Sequence, residues 1–169
     1  MNNTDNQISN RRPSRTLLVN DSTKSIDIST FTGLISNEKT NSNSIFLEFS
    51  TIEEAVQAFE QLKNDDIRVK YAYYKLFIKF TSPVKEISYD ALKEKAKEVL
   101  QSDISDINVV YFKLYKRNNE LIGCGEVTVD RLGDVEKLIK RSFEGQNDNS
   151  NLTFDIYRFR LNKEKKVPE

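Results

Sequence analysis

The chain has 169 residues, 37% of them hydrophobic, with 26 basic and 26 acidic side chains and a formal net charge of zero. That length admits one domain or two small ones, and the zero net charge withholds the general basic footprint of a nucleic-acid-binding domain. No histidine and a single cysteine, Cys124, exclude His-based acid–base chemistry, Ser-His and Cys-His nucleophile pairs, most zinc or iron sites and any intrachain disulfide.

Residues 1–14, rich in Asn, Ser, Asp and Arg, read as a disordered N-terminal arm. Arg11, Arg12 and Arg15 are candidates for phosphate contacts, or simply solubilise the tail. This start is polar and carries no signal-peptide core, and no apolar run approaches the roughly 20 residues of a membrane span. A soluble intracellular protein of the nucleus or cytoplasm, with no membrane partner, is expected.

Thr16 to Asn20 reads as a short strand. Ile26, Ile28, Phe31 and Leu34 suggest a short helix or irregular turn, limited by Gly33. Ile35 to Thr40 reads as a weak edge strand, and Ser44 to Phe49 as a strong one. Ser50 or Thr51 caps a helix whose apolar residues are Ile52, Ala55, Val56, Phe59 and Leu62, a single stripe. Asn64-Asp65-Asp66 ends it.

Arg68 to Thr81 is the longest strand-favouring run, without Gly or Pro. A typical strand has about 5–6 residues, so the run is expected to hold two strands with little or no linker between them. Ser88 then caps a helix from Tyr89 to Leu100, with Leu92, Ala96, Val99 and Leu100 inward. Ile107 to Lys116 alternates as a strand, Arg117 to Glu120 forms a hairpin turn, and Leu121 to Val129 returns. Leu132, Val135, Leu138, Ile139 and Phe143 suggest a third helix. Residues 145–151 read as a polar loop, 152–161 as a last strand and 162–169 as a disordered tail.

The expected fold is α+β: two ferredoxin-like (β-α-β-β-α-β) units in tandem, residues 15–74, shortened, and residues 75–161. Each would form a four-stranded antiparallel sheet, and the missing linker predicts that they dock as a rigid pair. Net charge is −3 over residues 15–74 (6 basic, 9 acidic) and +1 over residues 75–161 (15 basic, 14 acidic).

This order, with its motifs, resembles the RNA recognition motif (RRM) family. Leu76-Phe77-Ile78-Lys79-Phe80 is similar to the family's first-strand signature. Ile122-Gly123-Cys124-Gly125-Glu126-Val127-Thr128-Val129 is similar to its third-strand signature at Gly123, Gly125 and Val127. Leu17-Leu18-Val19 and Ser44 to Phe49 occupy the same places in the first unit. The resemblance implies binding of single-stranded RNA on the open sheet face, with bases stacked on aromatic side chains.

Alternation then places Phe77, Lys79, Cys124, Glu126 and Thr128 on the open face of the second unit, with Tyr111, Lys113 and Tyr115 on the adjacent strand. Leu18, Asn20, Ser44, Phe46 and Glu48 take the open face of the first. The candidate RNA-binding residues are therefore Phe77, Lys79, Tyr111, Lys113, Tyr115, Phe46 and Leu18. The departures from the family pattern are clear. Cys124 and Glu126 replace two stacking aromatics, and at about 1–3 kcal/mol per base that loss weakens binding by orders of magnitude. Tyr111, Lys113 and Tyr115 are the expected substitute platform. The alternative is that these aromatics are cross-strand packing pairs on a degenerate RRM-like fold serving as a protein–protein interaction or structural module.

No enzyme is expected, and no metal or small-molecule cofactor. Asp65, Asp66, Asp103 and Asp106 sit at helix ends and turns, where carboxylates serve as caps. Cys124 has no partner in the sequence that marks it as a reactive thiol.

Overall fold

The computed structural model describes residues 12–20, 26–40, 43–84, 86–139, 141–147 and 150–158. Most of the expected arm, with Arg11, the strand end 159–161 and the tail lie outside the described residues. The chain divides into two compact units, with the boundary between Tyr73 and Tyr74.

The first unit runs β1 (Thr16–Asn20), a 3-10 turn (Ile28–Thr30), β2 (Leu34–Lys39), β3 (Ser44–Phe49), α1 (Ile52–Asn64) and β4 (Arg68–Tyr71). Its antiparallel sheet has the order β2-β3-β1-β4. Alternation sends Leu17, Val19, Leu47 and Phe49 to one side, each fully buried. Helix α1 covers that side with Ala55, Ala58 and Leu62. Thr51 is its N-cap: the hydroxyl accepts from the Glu54 amide at 3.2 Å. The Glu54 carboxylate in turn accepts from Thr51 Oγ1 at 2.8 Å and Ser50 Oγ at 2.5 Å, which hold its pKa below the usual range.

Three features of this unit depart from the sequence reading. Ala58, rather than Ile52 or Val56 of the expected stripe, joins Ala55 and Leu62 in the core. Ser14 is not part of a loose arm. It is buried, and its hydroxyl donates to the Ala72 carbonyl at 2.6 Å while accepting from the Thr16 amide. Phe59 is only half-buried, because its ring lies flat against Tyr71 of β4, with centroids 4.4 Å apart and planes 6° apart.

The second unit runs β5 (Tyr74–Phe80), α2 (Tyr89–Asp103), β6 (Val109–Arg117), β7 (Glu120–Val129), α3 (Leu132–Leu138), β8 (Ser142–Asn147) and β9 (Ser150–Arg158). The long apolar run is thus two strands, parted only at Ala72 and Tyr73. Asn118 and Asn119 both take positive φ, 52° and 65°, as a two-residue hairpin turn requires. At Gly125 a Cβ would stand 2.2 Å from the Lys113 carbonyl oxygen, so the close approach of β6 and β7 itself demands glycine.

This sheet has five strands rather than four, in the order β6-β7-β5-β9-β8, all antiparallel. The extra strand replaces the expected end of the third helix and the polar loop. Helix α3 stops at Leu138, and Phe143 reaches the core from a strand. There it is fully buried and stacks on Phe154 at 5.2 Å. An apolar residue four or five positions beyond Leu138 and Ile139 suits a helical stripe, but one inward aromatic on an edge strand fills the same space. At Gly145, a Cβ would stand 2.3 Å from Val99 of α2, which lets β8 lie close under that helix.

Leu92, Ala96 and Leu100 of α2 and Val135 and Leu138 of α3 cover Leu76, Ile78, Phe112, Leu114, Val127 and Val129. Where β7 passes into α3, a polar cluster is buried. Arg131 donates to Asp134, which is 1% exposed, at 3.1 Å and to Asp106 at 2.8 Å. Beside it, Asn108 donates to the fully buried Asp130 at 2.9 Å. Asp106 and Asp134 both favour the charged guanidinium, against the cost of burying it.

Candidate nucleic-acid interface

Apart from the register shift between Val109 and Tyr111, the faces fall as alternation predicts, which leaves one side of the second sheet without helices among the described residues. Strand register orders the side chains there into rows. One row runs Lys113, Glu126, Phe77, Tyr157 across β6, β7, β5 and β9. Beside it, Lys79 stands between Cys124 and Asp155. On the other side, Thr128 stands between Tyr111 and Lys75.

Phe77 is half-buried, and its nearest aromatic neighbour is Tyr157, not a tyrosine of β6. The two rings are 6.4 Å apart and tilted by 39°. Tyr157 is 47% exposed. Its hydroxyl donates to Asp155 at 3.3 Å. Neither Tyr157 nor Asp155 was singled out from the sequence. The signal was present: Leu152, Phe154 and Ile156 alternate inward, so Thr153, Asp155 and Tyr157 must alternate outward.

Tyr111, 45% exposed, and the half-buried Tyr115 lie two strands from Phe77, roughly 10 Å at ordinary strand spacing. The expected substitute platform therefore does not adjoin Phe77. Tyr115 is instead committed to Glu126, to which its hydroxyl donates at 2.7 Å. Partial burial and that hydrogen bond hold the phenol above its usual pKa range, so it remains a donor. Lys75 stands 3.9 Å from the same Glu126 oxygen, Oε1. Partial burial also raises the Cys124 thiol, against the opposing pull of Lys79, and so disfavours a nucleophilic thiolate.

Lys75, Lys79 and Lys113 are all exposed on this side. They supply positive charge around a central aromatic pair, with Glu126 and Asp155 interleaved.

On the corresponding face of the first unit, Leu18 and Phe46 are direct cross-strand partners and both half-buried. Their outer neighbours are Lys70 and Glu38. In the adjacent row Glu48 is buried and accepts from Ser36 at 3.1 Å. This face has one aromatic ring and one lysine in its central row, against two rings and one lysine in that of the second unit.

Among the described residues no group of three or more Cys, Asp or Glu stands together as a metal site, and no helix is long and apolar enough to cross a membrane. Two open hollows of about 520 and 240 Å³ flank the β6–β7 hairpin, the larger lined by Phe80, Pro83, Val84 and Ile122. No family model matches the chain, and no curated protein matches it.

Proposed function

We propose that the chain is a non-catalytic protein that binds single-stranded RNA on the face of its second sheet opposite helices α2 and α3, and that both units are divergent ferredoxin-like units of the RRM type. The strand orders support the fold assignment. In each unit the first and third strands lie side by side at the centre, and the second lies outside the third. The last strand, β4 or β9, lies on the other side of the first, with β8 added beyond β9 in the second unit. The first unit departs in one respect, a 3-10 turn where a crossover helix would run.

The observation that carries the functional reading is the Phe77–Tyr157 pair, two rings on adjacent strands, with Lys75 and Lys79 on the strand of Phe77 and Lys113 at the far end of the same row. Bases stack on such rings with little regard to sequence, while ammonium groups meet the phosphates. Titration with mixed-sequence single-stranded RNA tests it. Affinity should fall linearly on a log–log salt scale, and Phe77→Ala should cost about 1–3 kcal/mol of binding while the fold persists. Unchanged affinity in a folded Phe77→Ala variant would sink the reading.

A protein-binding module is the second reading. The observation favouring it is Glu126, a carboxylate held near the centre of the face by Tyr115 and Lys75, where phosphates would be repelled. A stable protein partner that Phe77→Ala abolishes, with no RNA binding at low salt, would establish it instead.

A further inference from the structure

We infer that Glu126 and Asp155 make this face selective for bases that carry an exocyclic amino group, so that cytidine-containing RNA is preferred to uridine-containing RNA; the inference rests on the RNA-binding reading above.

Glu126 is the direct cross-strand partner of Phe77 on one side, and Tyr157 is its partner on the other. Directly opposed residues place their Cβ atoms about 5 Å apart. A base lying over Phe77 therefore brings an edge within reach of the Glu126 carboxylate. Both contacts of Glu126 fall on Oε1, from Tyr115 at 2.7 Å and Lys75 at 3.9 Å. Those contacts fix the carboxylate and leave Oε2 without a partner among the described residues.

Asp155 repeats the arrangement on the other strand. It is two residues from Tyr157 and directly opposite Lys79. Its one hydrogen bond among the described residues is from the Tyr157 hydroxyl to Oδ2.

A carboxylate only accepts hydrogen bonds. Cytosine offers a donor amino group at the position where uracil offers a carbonyl oxygen. The first pairs with Glu126 or Asp155, and the second sets two acceptors against each other. The two pyrimidines are alike in size, so stacking on Phe77 and Tyr157 contributes nearly equally for both. The same carboxylates that weaken the face for phosphate thus give it a means of choosing bases.

The test uses the full chain with oligocytidylate and oligouridylate of equal length at one low salt concentration. The expected result is tighter binding of oligocytidylate by roughly five-fold or more. Glu126→Gln keeps the shape but adds a donor, so the ratio should move toward one, chiefly because oligouridylate binds better. Asp155→Asn is the second variant, made where Tyr115 and Lys75 are untouched. Equal binding of the two oligomers by the wild-type chain would overturn this inference and leave RNA binding standing. A preference that survives both folded variants would overturn the assignment to these carboxylates. Failure of both oligomers to bind would overturn the RNA-binding reading itself, and this inference with it.

Discussion

The two units hold their helices against their sheets by different means. In the first, seven buried apolar side chains form the core among the described residues, and one helix covers the sheet. That helix is fastened at its open side by the flat Phe59–Tyr71 stack, with the Lys63 ammonium 5.0 Å from the Phe59 ring. In the second, nineteen buried apolar side chains form the core among the described residues, and two helices contribute to it. The shorter of these, α3, is anchored by the buried Arg131–Asp134 pair rather than by an aromatic lid. A small core has few apolar contacts to spare, and an aromatic stack adds area without displacing anything. The larger core can accommodate a charged pair because Asp106 and Asp134 together satisfy the guanidinium. The sheet faces differ in the same direction, since among the described residues only the second presents two adjacent rings.

The comparison breaks most visibly at Phe49. It is fully buried at the end of β3, and truncating such a residue costs about 3–5 kcal/mol. For a core of this size that is a large share of a typical total of about 5–15 kcal/mol. Phe49→Ala should therefore abolish hydrogen-exchange protection of the Leu17, Val19 and Leu47 amides. The Ile78 and Val127 amides should keep theirs. Loss of protection in both units together would show a single cooperative unit and end the comparison.

Asp134→Ala probes the anchor of the second unit. It leaves the Arg131 guanidinium, 10% exposed, with the largely exposed Asp106, and breaking a buried pair costs about 3–5 kcal/mol. The urea midpoint should fall accordingly. A midpoint unchanged from wild type would mean that α3 is held by Val135 and Leu138 alone.

Phe59→Ala should be milder, about 1–2 kcal/mol, because the ring is half-buried and its loss removes a stacked pair rather than opening a cavity. The apolar stripe read from the sequence implied a full core residue and about 3–5 kcal/mol. A measured loss in that upper range would show that the Tyr71 lid is a core element in its own right.

The strands were legible because their signal is local. Leu17-Leu18-Val19, Ser44 to Phe49 and Leu76 to Phe80 alternate over a half-buried pleat, so both their extent and their faces follow from period two. The helix starts at Thr51 and Ser88 were legible for the same reason: a side chain capping an amide three positions on is a contact within one turn. The fate of residues 139–147 was not. Phe143 fits a helical stripe and an inward strand position alike, and only pairing with β9, brought in from the chain that follows, selects the strand. The proposed stacking surface was half legible. Phe77 faces outward by alternation alone, but its neighbour across the sheet depends on strand order, and strand order is a long-range choice. Topology set β9 beside β5 and left Tyr111 two strands away, so the ring that meets Phe77 is Tyr157.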